Sequence, residues 1–489
     1  MAVLIAWQGG QSGRETPMKS FPAFLAIAAV VSGAPAAAQS LGFNAGSTRK
    51  VQQLIGGSWP PGGTVTYCVP AGPTRVDVDW QTGAPLLNKT YSSRNLQVGG
   101  CDLGYSFEGQ LKDERVLYFL CGDTLYFGAE DAVAVSRSTR PEKGLALKFL
   151  AEPSSGTAFL VGNHVSFDMT ADNVPEAGVG IGDDNYVICA TGHEIGGTTT
   201  KYTILTHFDG RSPRDANGLY GAWDQGRVIS SNADGGHFIQ VSLVKHDGHV
   251  YMFGTGGYRS SDIYLAEIDA TPGVPFPDNG FWNGAGTRYF TGLVTNVVGK
   301  QGHVQKSVIS PTWSTVETDP SVVPIVFDNP LVNGIPVCQP YPGDCPTAGN
   351  LSVDYVGSLG LWIMTFDGGR QQESGGDPNR LNGIYFSWAK EPWGPWSQPV
   401  QIFNLADDGG FGQFVYNGNA SFGPTGGPEG PTIDPAKNDP CSTRGANYAP
   451  YIVKPFTQVK GNTLTLYYNL STWNPYTIVL MSSTFTIGP

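Results

Sequence analysis

Gly248-His-Val-Tyr-Met-Phe-Gly-Thr-Gly-Gly-Tyr-Arg259, followed two residues later by Asp262-Ile-Tyr-Leu-Ala-Glu-Ile268, decides the fold. Each half is rich in aromatic and β-branched residues, and the Gly/Ser-containing stretch between them is a turn, so the pair is a β-hairpin. Four other segments repeat the pattern of strand, short polar turn, strand. They are Arg115-Val-Leu-Tyr-Phe-Leu-Cys-Gly-Asp-Thr124 with Ala132-Val-Ala-Val-Ser136, and Tyr186-Val-Ile-Cys-Ala-Thr-Gly-His193 with Lys201-Tyr-Thr-Ile-Leu-Thr-His-Phe208. The others are Leu361-Trp-Ile-Met-Thr-Phe366 with Gly383-Ile-Tyr-Phe-Ser-Trp-Ala389, and Thr463-Leu-Thr-Leu-Tyr-Tyr-Asn-Leu-Ser-Thr-Trp473 with Tyr476-Thr-Ile-Val-Leu-Met-Ser482.

The intervals between hairpins leave room for two more strands per unit. Four strands per unit, repeated radially, define a propeller. A β-sandwich made of hairpins would leave the likeness of the five units unexplained. The expectation is therefore an all-β chain, a five-bladed β-propeller with long loops over one face and an N-terminal extension. Residues 310–350 and 404–446 are Gly/Pro-rich and poor in strand signal; loops of that length in a propeller would wall a cleft.

Composition agrees. Gly 66, Pro 36, 11% aromatic and only 14% charged residues suit frequent turns and short strands in a chain of 489 residues. A net charge of −12 argues against nucleic acid or an anionic membrane surface as the main partner. The start reads as an export signal, with Met18-Lys19 as its charged opening, Phe21 to Val31 as the apolar stretch and Ala36-Ala37-Ala38 as the cleavage site. That apolar stretch is too short to span a membrane comfortably. The expected layout is a signal peptide over 1–38 with its true start at Met18, an N-terminal extension over 39–95, and the propeller over 96–489. The protein would then be secreted or periplasmic, and is read as a monomer.

Seven cysteines in an exported chain allow three disulfides. Cys338 and Cys345 flank a tight Pro/Gly loop and make the best pair; Cys68 with Cys101 is a second, and Cys121 reads as a small packed hydrophobe. No CxxC or HExxH occurs in the sequence, so zinc has no support. No organic cofactor is implied. Loops of this kind would accommodate a structural calcium, although no EF-hand-like spacing occurs.

Two acids stand in suggestive settings. Asp102 precedes the first hairpin in Gly100-Cys-Asp-Leu-Gly-Tyr105, and Asp123 ends that hairpin's first strand in Cys121-Gly-Asp-Thr124. Strand ends lie at a sheet edge, where loops form sites, and glycosidic cleavage uses one carboxyl as acid and another as base or nucleophile. By pattern alone the structural roles weigh more: a turn for Asp102, a cap for Asp123. His193, Arg259 and Asp262 occupy comparable strand ends. Arg259 would clamp a carboxylate or sugar hydroxyls, or else form a blade-edge ion pair. Asn163 and His164 read as sugar contacts or as an ordinary loop, and Glu429 as a cleft acid or an exposed charge. Trp388, Trp393 and Trp396 are close enough together to be packing residues rather than sugar platforms.

Several stretches carry a resemblance: Asp102-Leu-Gly-Tyr105, Tyr118-Phe-Leu-Cys-Gly-Asp-Thr124, Phe253-Gly-Thr-Gly-Gly-Tyr-Arg-Ser-Ser-Asp-Ile-Tyr-Leu-Ala266, Ala389-Lys-Glu-Pro-Trp-Gly-Pro-Trp-Ser397, Tyr448-Ala-Pro-Tyr-Ile452 and Tyr467-Tyr-Asn-Leu-Ser-Thr-Trp-Asn-Pro-Tyr476. In this order, over about 96–485, the chain resembles the bacterial endo-D-arabinanases, five-bladed-propeller glycoside hydrolases first catalogued as a domain of unknown function. The resemblance implies internal cleavage of D-arabinan, the arabinofuranose polymer of mycobacterial arabinogalactan and lipoarabinomannan. It also implies that Asp102 and Asp123 are the catalytic pair; His193, Arg259, Asp262, His164, Asn163 and Tyr451 are expected to line the substrate beside them. Cys121 stands where that family would place Phe.

Carboxyl separation decides stereochemistry, about 5–5.5 Å for retention and about 6.5–9.5 Å for inversion, and inversion is favoured here. Two rivals remain by sequence. One is a non-catalytic carbohydrate-binding propeller, since fold does not fix function. The other is a propeller glycosidase acting on L-arabinan, fructan or sialosides; the last is disfavoured because repeated Ser-x-Asp-x-Gly-x-Thr-Trp boxes are lacking.

Overall fold

The computed structural model describes residues 41–55, 64–69, 72–77, 98, 100–124, 131–151, 158–169, 173–192, 201–211, 223–256, 261–271, 273–298, 306–328, 331–332, 335–336, 348–368, 383–411, 414–415, 445–473 and 476–488. Strand β1 is Gly42–Ile55, and β2 (Thr64–Val69) pairs with β3 (Gly72–Asp77). The first blade is β4 (Asp102–Leu111), β5 (Glu114–Gly122), β6 (Val133–Ser136) and β7 (Lys148–Phe149). The second is β8 (Val174–Ile181), β9 (Asp184–Thr191), β10 (Tyr202–Asp209) and β11 (Asp224–Ser231). The third has five strands, β12 (Gln240–His246), β13 (His249–Thr255), β14 (Ile263–Asp269), β15 (Arg288–Val298) and β16 (Lys306–Ser314), with one short helix, α1 (Gly280–Asn283), before β15.

After the small pair β17 (Leu331–Val332) and β18 (Ile335–Pro336) comes the fourth blade: β19 (Ala348–Val356), β20 (Leu361–Gly368), β21 (Gly383–Ala389) and β22 (Val400–Asn404). The fifth blade is β23 (Ala446–Ile452), β25 (Thr463–Trp473) and β26 (Thr477–Gly488), with β24 (Gln458–Lys460) beside β25. Its outer strand is β1, paired antiparallel with β26 from Gly42↔Gly488 to Ile55↔Ile478. The first strands pack in a ring, β4 on β8, β8 on β12, β12 on β19, β19 on β23 and β23 back on β4. The fold is the five-bladed β-propeller expected from the hairpin repeat.

All five predicted hairpins are the middle strands of blades. One boundary moves: residues 42–55 fall in the stretch assigned to an extension, yet they close the ring as the last strand of blade five. Nothing in their sequence repeats a blade pattern, because a closing strand needs only to fit the exposed edge of β26. Trp388 and Trp396 are buried as expected; Trp388 Nε1 donates to the Leu41 carbonyl at 3.3 Å and so pins the start of the closing strand. Apolar layers between blades hold the ring. Phe119 and Ile478 are fully buried where blade one meets blade five, and burying each such side chain contributes about 1.5–3 kcal/mol. Among the described residues no helix is long and apolar enough to cross a membrane.

Candidate functional site

Antiparallel pairing puts the start of each first strand beside the end of its second strand, at one face of the ring. Asp102 opposes Gly122. At that face four of the five first strands lose register: β4 between Leu103 and Tyr105, β8 between Pro175 and Ala177, β19 between Ala348 and Leu351, β23 between Tyr448 and Tyr451. A bulge leaves its extra residue out of the ladder and re-aims the side chain. Glu176 and Asn350 are such extra residues, and both side chains turn inward to meet Tyr451.

The β4 bulge is held from blade five. Leu103 and Gly104 have positive φ, 58° and 72°, and their carbonyls accept from Ser471 Oγ at 3.1 Å and Asn469 Nδ2 at 2.7 Å. The carbonyls of this irregular backbone are thereby hydrogen-bonded in a buried place. At residue 122 a side chain has no room. A Cβ there would lie 2.6 Å from Asp102 Oδ1 and 2.8 Å from Val174 Cγ1, so glycine lets the Asp102 carboxylate fold down over the strand end.

Asp123 has φ 40°, in the left-handed region that costs most side chains about 1–3 kcal/mol and that Asp tolerates better than most. This turn takes Asp123 out of the strand's alternation. Its N–H donates to Asp131 Oδ1 at 3.0 Å, and Asp131 is fully buried. Cys101 and Cys121 form a disulfide with a Cα separation of 5.6 Å. This corrects both the Cys68–Cys101 pairing and the view of Cys121 as a packed thiol. The sequence offered no register by which to see that the two strand ends face each other. Cys338 and Cys345 lie outside the described residues, and Cys189 is a buried free thiol.

The acids sit among phenols. Tyr448 O–H donates to Asp102 Oδ2 at 2.9 Å. Tyr476 is pushed well above its ordinary range by burial and then by Asp102, Tyr448 and Asp123, so both candidate acids act on one phenol. Tyr451 accepts from Asn350 Nδ2 at 3.1 Å and donates to Glu176 Oε2 at 3.5 Å; burial, then the charges of Glu176 and Asp367, push its phenol well up. Both phenols therefore stay protonated donors at any working pH. Asp367, at the end of β20, accepts from the Ala449 N–H at 3.3 Å, with Ala449 itself at φ 52°. Four blades thus contribute to one cluster: Asp102 and Asp123, Glu176, Asn350 and Asp367, Tyr448 and Tyr451.

Below it, side chains of blades one and five reach the backbone of blade three and form a stopper. Tyr105 meets Tyr451 edge-on at 5.1 Å, and its hydroxyl accepts from the Leu243 N–H of blade three at 3.1 Å. Lys454 reaches in from blade five to the Leu243 carbonyl.

The other predicted site residues divide. Asp262 is half-buried at the same face, where Ser261 bridges Ala348 at the start of β19. Asn163 and His164 lie in a turn whose Val161 N–H bonds to the Asp131 carbonyl; His164 stacks on Phe159 at 4.1 Å and Asn163 is exposed. Tyr451, expected to contact substrate, is 1% exposed and bonds to Asn350 and Glu176. His193 and Arg259 lie outside the described residues, as does Glu429. Glu176, Asp367, Tyr448 and Asn350 were not foreseen. The available signals were a proline inside a strand, Val174-Pro-Glu176, and an acid ending the second strand of blade four as Asp123 ends that of blade one. Among the described residues no group of three or more His, Cys, Asp or Glu is placed to hold a metal ion.

Comparison with known proteins adds the following. The profile of a family described as Domain of unknown function (DUF4185) matches residues 88–482. No curated protein matches. Among solved structures, a Bacteroides ovatus protein described as a candidate hydrolase is 12% identical, with 80% of this chain and 87% of that one covered and a TM-score of 0.41. An N-acetylgalactosamine deacetylase from F. plautii is 8% identical, with coverage of 82% and 92% and a TM-score of 0.37. A GH43_1 enzyme from Xanthomonas citri is 9% identical, with coverage of 79% and 88% and a TM-score of 0.34.

Proposed function

We propose that this chain, which belongs to the DUF4185 family, is a secreted or periplasmic glycoside hydrolase that cleaves arabinofuranosyl linkages inside D-arabinan. The observation that carries the reading is the placement of Asp102 and Asp123 at facing ends of paired strands, with Gly122 clearing space for one and a left-handed turn re-aiming the other. The substrate class comes from the resemblance to endo-D-arabinanases. The hydrogen bonds that cross the ring below the acids support a polymer laid across the face, as internal cleavage requires. The Cys101–Cys121 disulfide supports an oxidising compartment.

The hydrogen bonds on Asp102 support an assignment of roles. Two phenols, Tyr448 and Tyr476, donate to Asp102, and donors of that kind stabilise the carboxylate form. Asp102 is accordingly the base that takes a proton from the attacking water. Asp123 is the acid that protonates the leaving glycosidic oxygen, and a water between them gives inversion at the anomeric carbon. Glu176 and Asp367 lie in the same cluster, bonded to Tyr451 and to the Ala449 N–H.

The test is reducing-end release and product sizing on mycobacterial arabinogalactan beside L-arabinan, with wild type, Asp102→Asn and Asp123→Asn. The expected result is an oligosaccharide ladder from D-arabinan alone, lost by at least about 10³-fold in both folded variants. Saturable binding without new reducing ends from the wild type would replace the reading by a carbohydrate-binding propeller. Ladders from L-arabinan instead would move the substrate. Near-normal activity in both variants would remove the acid pair.

A further inference from the structure

Asp102 and Asp123 are each bonded in sequence to a strand end that carries a cysteine. Cys101 precedes Asp102 directly, and Cys121 precedes Asp123 by two residues, with Gly122 between. The two cysteines are bonded to each other across the β4–β5 ladder, where Leu103 opposes Cys121 and Asp102 opposes Gly122. Both sulfurs are buried among Val98, Phe119, Ala132, Ala134 and Ile478, so the link is a packed part of the blade. On the far side of Asp123, the buried Asp131 carboxylate takes the Asp123 N–H at 3.0 Å. Asp131 is itself anchored, since its carbonyl accepts from Val161 N–H at 2.9 Å. Two constraints therefore act on one left-handed residue from opposite sides. A ladder hydrogen bond alone would not suffice there, because β4 is bulged at Leu103 and Gly104 immediately beyond Asp102.

We propose that the Cys101–Cys121 disulfide and Asp131 form a positioning brace that sets the separation of the Asp102 and Asp123 carboxyl groups. The proposal rests on the acid-pair reading above. Neither the sulfurs nor Asp131 touches substrate. They act by keeping the two carboxyl groups at a working distance. Carboxyl groups held close titrate as a coupled pair with widely split proton affinities; released, they move apart and the split shrinks.

The experiment compares wild type, Cys101→Ala/Cys121→Ala, Asp131→Ala and Asp131→Asn. Three quantities are read: kcat and KM on the polymer the wild type cleaves, the pH–rate profile, and hydrogen exchange over residues 119–133. The cysteine variant is expected to lose at least tenfold in kcat with KM within twofold of wild type, and the interval between the two limbs of its pH profile narrows. Asp131→Ala behaves alike, and Asp131→Asn, which keeps an acceptor oxygen, recovers most of the loss. Exchange at the Asp123 amide rises at least tenfold in the cysteine and Asp131→Ala variants, while the rest of β5 stays protected. A purely structural disulfide would instead lower thermal stability and leave the pH profile unchanged.

Wild-type kcat and pH profile in a folded cysteine variant overturn the brace. Should that variant not fold, Asp131→Ala with unchanged kcat and exchange overturns it equally. If the wild type proves inactive on every glycan, the acid-pair reading has failed on its own. The exchange arm then decides the brace, and unchanged protection at Asp123 removes it.

Discussion

The two ends of the same five inner strands are built differently. At the upper face, four strands slip register, Leu103, Gly104, Asp123 and Ala449 carry positive φ, and carboxylates share their space with phenols. At the lower face the strands run in register into tight connections, Leu111↔Glu114, Ile181↔Asp184, His246↔His249 and Val356↔Leu361, and positive φ in non-glycine residues is confined there to the turn positions Lys112 and Asp247. Between the two, Lys454 ties blade five to the Leu243 carbonyl of blade three, while Tyr105 adds blade one. The difference teaches where the fold tolerates strain. Irregular backbone persists only where surrounding structure over-determines it, and here the regular lower ends and the stopper supply that. The upper ends are then free to hold carboxylates and phenols on irregular backbone.

Gly122→Ala is the sharpest way to break this division, because it adds one methyl group at the upper face alone. That carbon would lie 2.6 Å from Asp102 Oδ1, so the carboxylate must swing away. The expected result is a loss of about 100-fold in kcat, equivalent to about 2.7 kcal/mol of barrier, with a small drop in melting temperature. Unchanged kcat in a folded variant would mean that Asp102 is not at the reacting centre. Lys454→Met tests the other end. It removes the bond to the Leu243 carbonyl, which keeps Tyr105 as a weaker donor at 3.5 Å. Denaturant unfolding should show a loss of about 2 kcal/mol, with kcat on the same polymer unaltered. Equal losses of activity in the two variants would show that the ends cannot be treated apart.

The same division explains what could be read in advance. Strands β5, β9, β13, β20 and β25 and the partners that follow them are runs rich in aromatic and β-branched residues because each is paired on both sides and buried within its blade, so all five hairpins were legible. The first strands were not, since a bulge breaks the two-residue period just where the functional side chain sits. Glu176 hides behind Pro175 in a stretch that reads as a loop, and Asn350 follows Gly349. The closing strand β1 carries no blade signature and was assigned outside the propeller. Asp102 and Asp123 were found at strand ends, but pattern alone could not raise them above a turn and a cap; the family resemblance did. Tyr448, Tyr451, Asn469 and Ser471 came within the motifs that carried this resemblance. Their work, holding the β4 bulge and the carboxylates from the neighbouring blades, depends on contacts hundreds of residues apart in sequence.

Asp354 gives the smallest effect and a direct check on what the lower end is for. Burial pushes its carboxyl up to about 6, against the pull of Lys454 and a hydrogen bond from the Tyr355 N–H. In the unfolded chain an aspartate titrates near 3.9. Between about pH 4 and pH 6 the folded protein therefore keeps a proton that the unfolded chain has released, and stability falls as pH rises through that window. Above it the penalty is constant. The carboxyl keeps part of its solvent contact, so the full two-unit conversion is discounted to about 1–2 kcal/mol. Asp354→Asn should thus be more stable than wild type by that amount at pH 7 and equal to it at pH 4, as read by denaturant unfolding at the two pH values. A variant less stable at pH 7 would mean that the charged Asp354 is held as the partner of Lys454. The stopper would then be an ion pair, and Lys454→Met would lose stability mainly by orphaning that carboxylate rather than by freeing the Leu243 carbonyl.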